Sequence, residues 1–216
     1  MRPPVNILVA FYSRDGSVEA LAVGVAEGAR AAGAAVRLRR VRELVDQQTM
    51  RLAPGWAENA ARMNDAYEAP TVEDARWADG FAFGAPTRFG SAASELRAYF
   101  ETLGALWLGG DLAGKAAGVF TSSSSPHGGL EATALGLYPT LAHLGLIIVP
   151  AGYGHPTLFR AGTPYGAASV SHGAERRAPT SDDLAVAAYQ GERLARVAAA
   201  LKAGRLQTVA SQPAGV

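Results

Sequence analysis

The segment Phe83-Gly84-Ala85-Pro86-Thr87-Arg88-Phe89-Gly90 gathers the groups in this chain best suited to hold a ligand. The apolar stretch Gly80 to Ala85 reads as a short strand that breaks at Pro86. Beyond the break stand one hydroxyl, one guanidinium, one aromatic ring and a glycine. That set suits a flat, polar-edged, anionic molecule laid against backbone. Thr87 and the main chain can bond its edge, Phe89 and Arg88 can cover its face or its negative end, and Gly90 permits close approach.

Two other loops offer matching pieces. Ser13-Arg14-Asp15-Gly16-Ser17-Val18 follows an apolar run and leads into a helix. A helix start presents unpaired N–H groups and the positive end of a dipole, and a loop of hydroxyls and glycine lets backbone wrap a phosphate. Ser13 and Ser17 add hydroxyl donors, whereas the Asp15 carboxylate must point outward to avoid repelling an anion. An ordinary capped turn would use the same residue types. Thr121-Ser122-Ser123-Ser124-Ser125-Pro126-His127-Gly128-Gly129 ends a third strand, and its small residues would let a ring system lie across backbone amides.

The elements that must position these loops follow from the periodicity. Val5 to Tyr12 is a continuous apolar run of strand length, Ser17 to Ala32 carries apolar residues at helical spacing and stops at Gly33, and Val36 to Val41 alternates apolar with basic. Strand, helix, strand in ~35 residues is a βαβ unit. Further strands are expected at Phe81 to Ala85, Lys115 to Thr121 and Leu146 to Ala151, with helices at Ser91 to Leu103 and Leu130 to Leu144. A brief helix capped by Thr71 and a long final one, capped by Thr180 or Ser181 and ending near Ala203, complete the pattern. Five strands alternating with helices imply one doubly wound parallel α/β sheet, whose ligands bind at the carboxyl ends of the strands. The chain is read as a single domain over residues 1–204. Segments 42–70 and 152–178 lack periodicity and read as insertions, the first with one short helix, and residues 205–216 read as a loose tail.

Composition excludes several function classes. With 49% hydrophobic and 18% charged residues the chain is globular, and a net charge of +1 gives no reason to expect nucleic acid. No cysteine is present, so there is no thiolate chemistry, and the four histidines show no metal-ligand spacing, so no metal is expected. The first apolar run is shorter than the ~20 residues of a membrane span and lacks a cleavage site, so it reads as a strand and the protein is expected in the cytoplasm. Gly109 to Ala116 imitates a phosphate-binding P-loop, but Ala116 replaces the required hydroxyl and the motif precedes a strand. No GxSxG is present.

Taken together, the residues of 83–90, Leu-Trp-Leu-Gly-Gly (106–110), His-Gly-Gly-Leu-Glu-Ala-Thr (127–133), Val-Pro-Ala-Gly-Tyr (149–153) and Gly-Thr-Pro-Tyr-Gly-Ala (162–167) resemble the WrbA family of NAD(P)H:quinone oxidoreductases. The resemblance implies a flavodoxin-like fold, a five-stranded parallel sheet of order 2-1-3-4-5 with helices on both faces. It also implies FMN as cofactor, NADH or NADPH as electron donor, a quinone as substrate and a homotetramer. By resemblance Ser13, Arg14, Asp15, Gly16, Ser17 and Val18 take the FMN phosphate. Pro86, Thr87, Arg88, Phe89 and Gly90 border the flavin, with Arg88 near its pyrimidine edge. Ser122, Ser123, Ser124, Ser125, Pro126, His127 and Gly128 close the other side. His143 matches a histidine near the flavin, and Trp107 an aromatic at the substrate face reached from a neighbouring subunit. The implied activity is two-electron reduction of quinones to hydroquinones, with donor and acceptor using one place in turn. The alternative is a flavodoxin-like electron carrier or a non-catalytic binding protein. Carriers of that kind are usually strongly acidic, and a sequence pI near 8.1 speaks against one.

Overall fold

Every residue from Ile7 to Tyr12 is buried, as the unbroken apolar run requires of a strand covered on both faces. In the computed structural model, which describes residues 4–210 with side chains through residue 204, this run is β1 (Asn6–Phe11). It is followed by α1 (Ser17–Ala31), β2 (Ala35–Arg40), α2 (Gln47–Met50), α3 (Trp56–Ala66) and α4 (Val72–Trp77). Then come β3 (Gly80–Arg88), β4 (Ser91–Ala92), α5 (Ser94–Glu101), α6 (Gly104–Leu108) and β5 (Ala116–Ser123). The chain continues through α7 (Leu130–His143), β6 (Ile147–Ile148), β7 (Ala168–Val170) and α8 (Ser181–Ala210).

The parallel sheet has the order β2-β1-β3-β5-β6, the 2-1-3-4-5 arrangement of a flavodoxin-like fold once the two short added strands are set aside. Alternate residues of β1 face two cores. Ile7, Val9 and Phe11 pack with α1 and α8, while Leu8, Ala10 and Tyr12 pack with α4, α5 and α7. The α1–α8 contact is backbone-close: a Cβ on Gly28 would stand 1.8 Å from the Ala188 carbonyl oxygen, and one on Gly191 1.9 Å from that of Val25.

The expected strand break at Pro86 does not occur. β3 continues to Arg88 and turns through Phe89 (φ 53°) and Gly90 (φ 78°) into antiparallel β4. Two consecutive positive-φ residues give the turn the twist that a two-residue hairpin needs. Pro86 is tolerated because β1 pairs with β3 only as far as Gly84, so the missing N–H costs no bond to β1. The next helix consequently starts at Ser94 rather than Ser91, since Ser91 and Ala92 pair back on Arg88 and Thr87.

The fifth strand is shorter than Leu146 to Ala151. β6 pairs only with Ala116 and Ala117 before the chain leaves at Pro150, and β7 later returns beside Thr121 to Ser123. Buried Gln190 of α8 fills the gap: its Nε2 donates to the Val119 carbonyl and its Oε1 accepts from the Ala167 N–H, each at 2.8 Å. Segment 42–70 holds two helices instead of one. The first is capped by Asp46, whose carboxylate accepts from the Thr49 N–H at 2.8 Å. The last helix extends to Ala210, past the expected end near Ala203 and into the stretch read as tail; residues 211–216 lie outside the described residues.

At the start of α4, the Thr71 hydroxyl accepts from the Asp74 N–H and the Asp74 carboxylate from the Thr71 N–H, both at 3.0 Å, a reciprocal capping box. Arg37 and Arg39 of β2 reach the same buried carboxylate at 3.0 and 3.2 Å. Burial alone would raise its pKa, but the Thr71 and Arg39 hydrogen bonds outweigh it and hold the carboxyl below the usual range. A depressed carboxyl stabilises the fold above its unfolded pKa of ~3.9 and loses that contribution as pH falls through the folded value. Asp74→Asn should therefore lower unfolding free energy at pH 7 by about 1–3 kcal/mol. In urea titrations that gap should shrink as pH drops below about 4, and a gap independent of pH would contradict the assignment.

Candidate active site

Register brings the three loops to one height. Phe11, Gly84 and Phe120 stand in one row across β1, β3 and β5, and two residues further on Pro86 pairs with Ser122 while β1 has run out into Ser13. A cleft of about 80 Å³ opens there, lined by Ser13, Arg14, Asp15, Ser17, Val18, Pro86, Thr87, Arg88, Ser122, Ser123, Ser124 and Ser171. The cleft has room for a phosphate-sized group and is partly open to solvent.

The first loop is shaped for an anion. Gly16 adopts φ 97°, ψ −19° at the N-cap of α1 and contributes no side-chain cap, so the first N–H groups of a 15-residue helix stay available to a ligand. Ser13 is buried, and its Oγ accepts from the Gly16 N–H at 3.1 Å, leaving its own proton to donate. Of the two carboxylates beside this loop, Asp15 borders the cleft and Glu19 is tied to other groups. Asp15 is exposed, and Glu19 is held by both terminal nitrogens of Arg62 (2.9 and 2.5 Å) and by the Tyr67 hydroxyl at 3.0 Å. Burial would raise the Glu19 pKa, but Arg62 and Tyr67 prevail and keep it lowered and ionised. Arg14 stacks on Trp56 of α3, its Cζ 4.0 Å from the ring centroid.

The β3–β4 hairpin forms the second wall. Thr87 Oγ1 accepts from the buried Thr133 hydroxyl at 2.8 Å, and Arg88 Nη1 donates to the Thr87 carbonyl at 3.0 Å. Phe89 at the tip is fully exposed. The start of α7 abuts this hairpin: Gly129, at φ 100°, would bring a Cβ to 3.2 Å from Gly90 Cα and 3.3 Å from Thr87 Oγ1. Its positive φ favours glycine at residue 129, and the close neighbours leave little slack for a side chain.

On the third wall β5 runs two residues past the expected end, so Ser122 and Ser123 are buried strand residues rather than loop. Ser123 Oγ donates to the Ser125 carbonyl at 2.7 Å and folds the chain back. Ser124 lines the cleft. Ser125, Pro126 and His127 are exposed outside it, and Gly16, Phe89, Gly90 and Gly128 flank the lining without forming part of it.

His143 and Trp107 are not part of this cleft. They share a separate hollow of about 210 Å³ with Phe100, Gly104, Thr140 and Leu144. His143 ends α7 whereas the helix start meets the hairpin through Thr133, and 14 residues of helix separate the two ends by roughly 20 Å. The structure thus sets His143 and Trp107 together, apart from the cleft of their own chain, because motif order along the chain does not specify which end of a helix faces a site. Sequence reasoning missed three residues. Ser171 reaches the cleft directly after β7, where its N–H donates to the Ser123 carbonyl at 2.9 Å. Trp56 comes from the aperiodic segment 42–70, and Arg40 lies behind the first loop. Only Arg40 carried a sequence signal, as the basic end of an alternating strand.

Among the described residues no group of His, Asp and Glu could hold a metal ion, and no helix is long and apolar enough to cross a membrane.

Residues 4–155 match the model of the NADPH-dependent FMN reductase family. A protein from Sinorhizobium fredii named NAD(P)H dehydrogenase (quinone) is 39% identical over 201 residues, spanning 91% of this chain and 98% of its own. One of the same name from Deinococcus radiodurans is 42% identical over 174 residues, spanning 80% and 86%. The flavodoxin-like, WrbA-like protein from Agrobacterium tumefaciens superposes with a TM-score of 0.64 over 91% of this chain and 98% of that one. At 22% identity it speaks for the fold alone. With the family match covering most of its length, the chain belongs to the NADPH-dependent FMN reductase family.

Proposed function

We propose that this chain is an FMN-dependent NAD(P)H:quinone oxidoreductase that reduces quinones to hydroquinones by two electrons. The observation that carries the reading is the uncapped start of α1, walled by Ser13 and by Thr87 and Arg88 of the hairpin at the carboxyl edge of the sheet. The residues present fit FMN. The free N–H groups and Ser13 hydroxyl suit a phosphate dianion, the enclosed volume suits the phosphate, and the exposed rim at Thr87 to Phe89 suits a flat ring. FMN, when bound, supplies acceptance and delivery of hydride, the chemistry no side chain here offers.

The chain's own residues bind, orient and tune. Backbone N–H groups at the start of α1 and the Ser13 hydroxyl hold the phosphate, and the exposed Asp15 carboxylate must keep to the solvent side of it. Thr87 is kept in place by Thr133. Arg88 sets positive charge where electron density gathers on reduction, and fixed charge of that kind acts without reorganising. Donor and quinone use the same open face in turn, over Phe89. In the same reading, a second copy of the chain completes this face with its own Trp107 and His143, within a homotetramer located in the cytoplasm. What supports this is that Trp107 is half exposed and Leu108 largely so, on the end of the sheet opposite the cleft of their own chain.

Protein loaded with FMN should lose its flavin absorbance with NADH or NADPH under argon and regain it on adding benzoquinone. A bound flavin that no nicotinamide bleaches would contradict the assignment. Arg88→Ala should weaken FMN binding or slow quinone turnover by about tenfold or more, and an unchanged binding curve together with unchanged turnover would remove Arg88 from the site. Trp107→Ala should raise the Michaelis constants with FMN still bound; loss of flavin instead would place this residue in cofactor binding.

A further inference from the structure

The largest fully buried side chain in the described structure is an arginine, Arg40, at the end of β2 directly behind the first loop. Its Nη2 donates to the Ser13 carbonyl at 3.1 Å. Its terminal nitrogens also bond both oxygens of the Glu43 carboxylate, and Nη1 donates to Asn64 Oδ1 at 2.5 Å. Tyr12 lies alongside, its ring centroid 5.7 Å from Arg40 Cζ. Burial pushes the Tyr12 phenol well above its ordinary pKa, so it stays neutral.

Burying a guanidinium costs several kcal/mol even after relaxation, and an apolar pair of similar volume is often as stable as a buried ion pair. Packing alone therefore gives no reason for an arginine here. The contact that no apolar residue could make is the one to the Ser13 carbonyl. In a trans peptide the carbonyl and the following N–H point in opposite directions. A guanidinium gripping the Ser13 oxygen from the core therefore aims the Arg14 N–H outward, toward the cleft. Glu43, also buried, neutralises Arg40, so the effect on the loop is one of geometry rather than of added positive charge.

We propose that Arg40 is a positioning residue for the phosphate loop: through the Ser13 carbonyl it turns the Arg14 amide toward the cofactor phosphate, with Glu43 and Asn64 fixing its own orientation. This rests on the reading of residues 13–18 as the FMN phosphate loop. Arg40→Met alone would leave the Glu43 carboxylate buried and unpaired, so the informative variant is Arg40→Met with Glu43→Leu. It should melt near the parent temperature, because both buried charges leave together. Flavin-fluorescence titrations with FMN and with riboflavin, which lacks the phosphate, then separate the outcomes. FMN affinity should fall about tenfold to a hundredfold, the worth of one hydrogen bond to a charged acceptor, while riboflavin affinity stays the same. An unchanged FMN affinity, or an equal loss for both flavins, would overturn the role given to Arg40. Failure of the unaltered protein to bind FMN would instead overturn the functional reading beneath it.

Discussion

Parallel pairing of β1, β3 and β5 in a single register is the constraint on which the site depends. Phe120 of β5 lies against Gly84 of β3 so closely that a Cβ there would stand 2.1 Å from its ring. A slip of one residue would put a side chain into that ring and exchange the residues that each strand sends to the two cores. Held in register, the strands end together, and Ser13, Pro86 and Ser122 become neighbours although 109 positions separate the first from the last. Each strand end carries a different contribution: free amides from α1, a cationic hairpin from β3, and small polar residues from β5.

Charge is managed around that edge so that an anion is favoured without a large positive field. The net charge of the chain is only +1, and most arginines near the cleft are engaged: Arg40 with Glu43, Arg62 with Glu19, Arg14 on the Trp56 ring. Dipole and backbone donors therefore carry much of the anion's stabilisation. Two excursions from the sheet support the arrangement. Segment 42–70 supplies Trp56, Asn64 and Arg62 to the back and flank of the first loop. The excursion that splits the last strand returns as β7 and brings Ser171 to the cleft.

Strands and helices with strong periodicity were legible in the sequence to within a few residues. β1, α1 and β2 follow from an apolar run, a helical repeat ended by Gly33 and an alternating strand. The cleft was legible where it is built from loops contiguous in sequence. What escaped depended on tertiary partners. Pro86 breaks a strand only if it must donate to a neighbour, and here it faces no β1 residue. The helices of segment 42–70 lack a clean apolar repeat because α3 buries only Ala60 and Met63. Arg40 reads as an ordinary basic residue until its buried partners Glu43, Asn64 and the Ser13 carbonyl are seen together. Trp107 and His143 were recognisable as motif residues, yet their distance from the cleft is a consequence of helix direction.

The most direct test of this account is a crystal structure of the protein grown with FMN. The phosphate should sit on the amides at the start of α1 and the Ser13 hydroxyl, with the ring along Thr87 to Phe89. Flavin bound elsewhere, or a phosphate that avoids the start of α1, would contradict the central claim that three strand ends in one register form the cofactor site.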